Sequence, residues 1–217
     1  MEKHTVSSSW NEEKRRTTTT IIPDDFACFQ SEIADQAIDL VFTDPPYEKK
    51  YFHCYQYLAD YCPRIMKSGA SLMMITPHYA LEKVMTYFHG KLKFRWINSM
   101  VQFSGTHPRM LMGIEVMWKP ILWYVKDKYP MGRGFMRDAV DIAGTEGQTK
   151  KLHKWQQDLD WCMYYIKHLT KEGDMVLDPY VGSGTVGVAC KLLGRNFIGI
   201  DIDRDVCEVA VKRISDT

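Results

Sequence analysis

One stretch near the end of the sequence decides the fold: Met175-Val176-Leu177-Asp178-Pro179-Tyr180-Val181-Gly182-Ser183-Gly184-Thr185. Three apolar residues before an acid predict a short buried strand, and the glycines permit the positive φ of a tight turn. Residues 185–193 predict a helix that Gly194 closes. This order predicts an α/β domain with a ligand at the helix N-terminus, where free N–H groups and the dipole favour a carboxylate or phosphate.

A second acid follows at the spacing typical of a nucleoside site. Phe197-Ile198-Gly199-Ile200 predicts another buried strand, and this strand ends at Asp201, about 20 residues after the glycine turn. In nucleotide-binding βαβ units, an acid at this place accepts hydrogen bonds from ribose hydroxyls. Residues 182–187 also match GxGxxG, a weak motif on its own, so an NAD(P)-binding oxidoreductase is an alternative.

Residues 38–43 predict a buried strand, and Asp44-Pro45-Pro46-Tyr47 follows at its carboxyl end. A proline-rich turn would explain the prolines but neither the acid nor the phenol. The exocyclic amine of a nucleobase explains all four residues. Its lone pair is delocalised into the ring, so two acceptors, the Asp44 carboxylate and the Pro45 carbonyl, would turn it toward an electrophile. Proline fixes the backbone, and Tyr47 offers a face for stacking the base. An oxidoreductase leaves this motif unexplained.

The composition restricts the class of protein. A chain of 217 residues is long enough for one well-buried domain, and a net charge of +1 means that any nucleic-acid surface must be local. The six cysteines include no CxxC and the seven histidines no HExxH, so we expect reduced thiols and no metal. No apolar run approaches the roughly 20 residues of a membrane span, and no signal-peptide core is present. We therefore expect a cytoplasmic protein without membrane contacts.

The hydrophobic pattern predicts a loose arm over residues 1–16 and one domain over 17–217. Strands are expected at about 17–22, 38–43, 71–76, 94–102, 115–125, 175–178 and 197–202, and helices at about 51–66, 79–88, 154–170, 185–193 and 204–213. Pro120 lacks a ladder donor and predicts that its strand lies at an edge or is bulged. The pattern dissolves over 127–152, which predicts a long loop.

With these motifs in this order, the chain resembles the DNA amino-methyltransferases, in the permuted arrangement that puts the DPPY motif before the cofactor motif. The resemblance covers the chain from about Thr17 onward. It implies a Rossmann-like S-adenosylmethionine-dependent methyltransferase fold, a single three-layer α/β domain with a mixed seven-stranded sheet. It also implies that strand 17–22 neighbours the second cofactor strand, and that the two motif-bearing strands are adjacent at the centre.

The resemblance implies a role for each matching residue. Asp44, Pro45, Pro46 and Tyr47 match the catalytic motif, and Asp201 matches the ribose-binding acid. The cofactor loop is matched by Asp178, Pro179, Tyr180, Gly182, Ser183, Gly184 and Thr185. Asp25 and Phe26 resemble the pair that flanks the cofactor's adenine, and His153 resembles the start of the segment that closes over its methionine end. In that segment the family usually has Lys-Pro, whereas this chain has Gln157-Asp158.

The resemblance also bears on the substrate. An Asp at the first motif position goes mainly with adenine N6, whereas cytosine N4 enzymes more often begin the motif with Ser. We therefore expect an adenine-N6 DNA methyltransferase of the restriction-modification type, with S-adenosylmethionine as cofactor. A cytosine-N4 DNA methyltransferase and an RNA adenine methyltransferase remain alternatives. A catalytically inactive, nucleic-acid-binding subunit is an alternative of another class. Such proteins usually lose one of the two motifs, whereas both are intact here.

Basic residues in two loops that we expect beside the active face are candidates for binding DNA, although a solvated loop explains them as well. They are His107, Arg109, Lys128, Arg133, Arg137, Lys150 and Lys151. Contacts of this kind hold phosphates and position DNA without reading it. The short recognition loop over 127–152 is too small to fold as a domain. We therefore expect a flipped target base within a short, relaxed site, or a homodimer whose second copy completes the clamp.

Overall fold

The computed structural model of the protein describes residues 17–101, 109–111, 113–129, 134–141 and 159–217. The predictions for the arm 1–16 and for His107, Arg133, Lys150, Lys151 and His153 fall outside these ranges.

The elements alternate between strands and helices along most of the chain. The strands are β1 Thr19–Pro23, β2 Ile38–Thr43, β3 Met66–Ile75, β4 Lys93–Val101, β5 Arg109–Leu111, β6 Ile114–Val116, β7 Trp118–Val125, β8 Ala139–Asp141, β9 Met175–Asp178 and β10 Asn196–Asp201. The helices are α1 Phe26–Phe29, α2 Phe52–Ile65, α3 Leu81–Phe88, α4 Leu159–Leu169, α5 Thr185–Leu193 and α6 Arg204–Ser215. Short 3₁₀ turns precede α2 and α3 and follow α1.

The main sheet has the order β1-β10-β9-β2-β3-β7-β4-β8, and β5 pairs with β6 in a separate hairpin. The first five strands run parallel, and β7 is antiparallel to β3 and β4. Two predicted neighbour relations are confirmed, because β1 pairs with β10 and β2 with β9. The mixed sheet is confirmed too, but in the described part of the chain it has eight strands and not the predicted seven.

The eighth strand lies in the segment that the sequence predicts as a loop. Residues Ala139–Asp141 form β8, which pairs parallel with the end of β4. Asp138 anchors this strand, because its carbonyl oxygen accepts from the Ser99 N–H at 2.6 Å and its carboxylate accepts from the Trp96 indole N–H at 3.2 Å. Three residues are too few to show a period of two, so the pattern could not predict this strand.

The prediction that Pro120 marks an edge or bulged strand is wrong. The segment divides into β6 and β7, and β7 lies inside the sheet between β3 and β4. The Pro120 carbonyl accepts from the Thr76 N–H at 3.0 Å, one residue past the end of β3. In an antiparallel pair the N–H and C=O of one residue point to the same side, so the missing donor faces the place where β3 has already ended.

Two hydrophobic cores cover the two faces of the sheet, which makes the domain three layers deep. Along β2 the side chains alternate between them: Val41 packs with α2 and α3, whereas Leu40 and Phe42 pack with α4 and α5. The strand is buried on both sides, as is usual for the central strand of a parallel sheet. The carboxyl ends of β2 and β9 are therefore fixed side by side.

Candidate active site

The two motifs meet where β2 and β9 end. Val41 pairs with Leu177, so Asp44 and Asp178 leave the same edge of the sheet in neighbouring strands. The Thr43 hydroxyl donates to Asp178 Oδ1 at 2.7 Å and ties the two loops together. A crevice at the carboxyl ends of central parallel strands is the usual ligand site of such sheets.

Asp178 is a buried acid that organises the junction of the two loops. Its Oδ1 also accepts from the Tyr180 N–H at 3.2 Å. Burial is the main reason that its pKa is raised to about 7; the two hydrogen bonds oppose this shift, and the charges of Asp44 and Asp201 add to it. Asp178 is 3% exposed. We conclude that this carboxyl group holds the loop in shape.

The glycines of the cofactor loop have two different roles. Gly182 has φ +49° and Gly184 φ +80°, so both occupy the left-handed region that favours glycine. A Cβ added at Gly184 would lie 3.0 Å from the Ala210 Cβ of α6. At Gly182 the nearest described atom would be the Tyr180 carbonyl oxygen at 4.0 Å. Gly184 therefore allows the close approach of α6, and Gly182 borders open space.

Helix α5 starts at Thr185, and no side chain of the described residues caps it. Its first N–H groups are therefore suited to an anionic group. The hydroxyls of Ser183 and Thr185 both accept from Arg213 Nη1, at 3.1 and 2.8 Å. The sequence carries no local signal for this contact, because Arg213 lies on another helix, 28 residues after Thr185. Arg213 Nη1 also donates to the Ser183 carbonyl oxygen at 3.1 Å, and both hydroxyls keep their own O–H donor.

Asp201 ends β10 directly beside the glycine turn. Its carboxylate accepts from the Gly182 N–H at 3.0 Å and from the Asp203 N–H at 3.1 Å. Burial raises the pKa of this carboxyl group. Because a carboxylate offers about four acceptor positions, two backbone bonds leave capacity for the hydroxyls of a sugar.

Asp25 and Phe26 follow β1, the neighbour of β10. Asp25 caps α1 by accepting from the Ala27 N–H at 2.9 Å. Phe26 is 1% exposed and meets the Tyr180 ring edge-on, with a centroid distance of 6.4 Å. The structure thus brings this pair next to the cofactor loop through Tyr180, whose hydroxyl donates to the Cys54 carbonyl at 3.2 Å.

Three side chains that the sequence did not single out surround the DPPY loop. Tyr55 on α2 donates its hydroxyl to the Pro45 carbonyl oxygen at 3.4 Å, and the Tyr79 hydroxyl donates to the Tyr47 carbonyl oxygen. Lys119, near the start of β7, places its Nζ 5.5 Å from the centroid of the Tyr47 ring. All three belong to other elements, so no local spacing in the sequence could have indicated them.

The structure separates the candidate DNA-binding residues. Strand β7 runs antiparallel to β3, so it ends at the edge of the sheet opposite the motifs. Lys128 follows β7 and lies at that opposite edge, which corrects the expectation that it lies beside the active face. Arg137 precedes β8, which pairs with the end of β4 at the motif edge, and its side chain is exposed. Arg109 begins β5.

Two further properties concern only the described ranges. Within them, no group of three or more His, Cys, Asp or Glu side chains is placed to hold a metal ion. None of the helices described is long and apolar enough to cross a membrane. All six cysteines are free thiols, and Cys28 alone of the six is exposed.

The chain is similar in sequence to DNA methyltransferases. The family of N6 and N4 enzymes described as DNA methylase matches residues 138–212. The Type II methyltransferase M2.DpnII of Streptococcus pneumoniae is 45% identical over 76 residues, which are 32% of this chain and 28% of that protein. The match thus spans less than a third of the relative's length.

Solved structures match over nearly the whole chain. The M1.HpyAVI–SAM complex has a TM-score of 0.75 at 26% identity and covers 91% of this chain and 99% of its own. The cytosine-N4-specific PvuII DNA methyltransferase has a TM-score of 0.76 at 15% identity, with 92% of both chains covered, and this likeness concerns the fold alone. The α/β architecture is the S-adenosylmethionine-dependent methyltransferase fold, here with eight strands.

Proposed function

We propose that this chain, which belongs to the DNA amino-methyltransferases, transfers a methyl group from S-adenosylmethionine to an exocyclic amine of DNA. The amine that we propose is adenine N6. One observation carries the proposal. The hydrogen bond from Thr43 to Asp178 joins the two motif strands and sets Asp44 directly beside the cofactor loop. The proposed catalytic acid and the proposed nucleoside site thus lie at the carboxyl ends of neighbouring strands.

The residues present fit this cofactor. Gly182 leaves open space where a side chain would intrude, the uncapped start of α5 suits the methionine carboxylate, and Asp201 keeps acceptors for the ribose hydroxyls. When bound, S-adenosylmethionine supplies an electrophilic methyl group on a sulfonium. The solved complex of M1.HpyAVI contains the same ligand.

The protein's own groups prepare the amine. The Asp44 carboxylate and the Pro45 carbonyl accept its two N–H groups, which draws the nitrogen lone pair out of the ring and toward the methyl group. The nitrogen that gains a methyl group must lose a proton, and the Asp44 carboxylate is placed to accept it. Tyr47 provides the stacking face for a base flipped out of the duplex.

The first residue of the motif supports adenine over cytosine, because Asp44 stands where cytosine-N4 enzymes more often have Ser. The fold does not discriminate between the two bases, since the cytosine-N4-specific PvuII enzyme shares it with a TM-score of 0.76. An RNA adenine methyltransferase would use the same catalytic loop. The inactive-subunit alternative loses support because Asp44, Asp178 and Asp201 converge on one edge of the sheet.

The test is methylation of plasmid DNA from a methylation-free host by the purified protein, using S-adenosylmethionine with a labelled methyl group. Digestion to nucleosides and mass spectrometry then separate N6-methyladenine from N4-methylcytosine. We expect labelled N6-methyladenine, and a parallel reaction on RNA should remain unlabelled. Label in N4-methylcytosine alone would correct the base, and binding of NAD but not S-adenosylmethionine in calorimetry would overturn the whole proposal.

Target recognition follows from the same proposal. Phosphate contacts at the motif edge would position DNA. The segment over 127–152 is too small to form a recognition domain, so we expect either a short, relaxed target or a second copy of the chain that completes the DNA clamp. Mapping of methylated sites after expression, together with the molecular mass of the protein on DNA, tests this. A long, strictly enforced site produced by a monomer would contradict it.

A further inference from the structure

Two tyrosines outside the DPPY motif hold the main chain of that loop. Tyr55 donates to the Pro45 carbonyl oxygen at 3.4 Å, and Tyr79 donates to the Tyr47 carbonyl oxygen. Neither Pro45 nor Pro46 has an N–H group, so half of the motif cannot donate to a neighbouring strand. Contacts to the carbonyl oxygens are thus the remaining main-chain means of fixing this part of the loop.

Phe52 joins the two tyrosines into one unit. Its ring stacks on Tyr79 with a centroid distance of 6.2 Å and an interplanar angle of 23°. It meets the Tyr55 ring edge-on at 6.1 Å and 84°. Tyr55 and Phe52 are 0% and 8% exposed, so both rings are locked in the core. Because aromatic pairs at these distances attract each other, a shift of one hydroxyl is resisted by all three rings.

The Tyr55 hydroxyl keeps its proton. Burial raises the pKa of this phenol above its ordinary value, and the nearby negative charge of Asp44 raises it further. The hydroxyl therefore acts as a donor at neutral pH. A carbonyl oxygen has two lone pairs, so a bond from Tyr55 leaves Pro45 able to accept an incoming amine as well.

We propose that Tyr55, Phe52 and Tyr79 form an aromatic clasp that positions the Pro45 carbonyl and the Asp44–Tyr47 loop toward the target amine. The consequence for methyl transfer rests on the proposed function, whereas the holding of the loop does not. The three side chains are positioning residues, since they act through the carbonyls of the motif. The clasp combines α2 with the 3₁₀ turn before α3, and both follow strands that end at the active edge.

The test removes single hydroxyl groups. Tyr55→Phe and Tyr79→Phe each delete one donor of the clasp, and Tyr124→Phe is the control. Tyr124 is 2% exposed and stacks on Phe88 at 4.5 Å, toward the far end of β7 from the motifs. In hydrogen–deuterium exchange, the peptide spanning residues 44–51 should exchange faster in both clasp variants and not in the control.

The second measurement is single-turnover methylation of DNA. Each clasp variant should be slower by about tenfold, the factor that corresponds to one lost hydrogen bond. Its dissociation constant for S-adenosylmethionine should stay within about twofold of the wild type. A purely structural role would instead lower thermal stability and cofactor affinity together.

The outcomes separate the two proposals. The clasp would be overturned if both clasp variants exchanged deuterium and methylated DNA at the same rates as Tyr124→Phe. That result would not affect the proposed function, provided that the wild type methylates DNA. A wild type that methylates no DNA would refute the function, and the exchange data alone would then decide the clasp. If Tyr55→Phe fails to fold, Tyr79→Phe alone tests the clasp. Tyr79 is 39% exposed, so removal of its hydroxyl group leaves no buried gap.

Discussion

The loops after β9 and β2 meet at one hydrogen bond but are held in different ways. In the cofactor loop, backbone N–H groups donate to nearby acceptors: Val181 to the Ile200 carbonyl at 2.9 Å and Gly182 to Asp201 at 3.0 Å. In the catalytic loop, the acceptors are carbonyls and the donors are phenols from other elements. The first loop is shaped mainly by its own main chain, and the second by side chains packed beneath it.

This difference predicts how each loop responds to substitution. Changes within the glycine turn should act through backbone conformation and helix packing. Changes around the DPPY loop should act on the reaction with little effect on cofactor affinity.

Asp44→Ala should reduce the rate of methyl transfer by about 10²–10³, the usual cost of losing one group that acts on the transition state, because it removes an acceptor for the amine. Affinity for S-adenosylmethionine should stay close to that of the wild type. Single-turnover methylation and calorimetry measure the two. Near-normal turnover would break the catalytic assignment, and a parallel loss of cofactor binding would break the division between the loops.

Gly184→Ala and Gly182→Ala form a matched pair, since both put a Cβ on a residue with positive φ. The backbone strain, of the order of 1–3 kcal/mol, is shared by both variants. Only Gly184→Ala also presses a Cβ to 3.0 Å from Ala210, so it should lose more stability on thermal unfolding. Gly182→Ala should mainly weaken cofactor binding. Equal stability losses with unchanged affinity would contradict these roles.

The sequence predicts the cofactor loop well because its determinants are local. Asp178, the glycines and Asp201 follow one another at fixed spacing, and β9 and β10 neighbour each other in the sheet. The placement of β2 beside β9 was also predicted correctly, through the family resemblance. These features depend on the order of the strands and on short turns, and both can be predicted from motifs and their spacing along the sequence.

The rest could not be predicted because it depends on packing between distant segments. Tyr55, Tyr79 and Lys119 reach the DPPY loop from three elements, and Arg213 reaches Ser183 and Thr185 from α6. None of these has a sequence signature that distinguishes it from core or surface. The interior position of Pro120 was predicted wrongly for the same reason, since it depends on where the neighbouring strand β3 ends. Strand β8 was missed because three residues are too few to show a strand pattern.

Asp178 makes stability depend on pH. Its pKa is raised from 3.8 to about 7 in the folded protein, so its contribution is fully present below about pH 4 and is lost as pH rises toward 7. The free energy of unfolding of the wild type should therefore fall over this window relative to that of Asp178→Asn, which cannot ionise. Urea titrations from pH 4 to 8 measure this. Asp127→Asn, at an exposed position, is the control and should parallel the wild type; a parallel Asp178→Asn curve would contradict the shift.

The smallest effect concerns DNA contacts, and Arg137 and Lys128 form the pair that tests it. Arg137 lies at the motif edge next to β8, whereas Lys128 follows β7 at the opposite edge. If DNA lies over the catalytic loop, Arg137→Ala should weaken binding and reduce the slope of log K against log salt by about 0.9, the value for one phosphate contact. Lys128→Ala should leave both unchanged, although it removes the same charge. Binding isotherms at several salt concentrations measure the slopes. Equal losses in the two variants would mean that DNA is attracted by the net charge, and that the motif edge is not the face on which it binds.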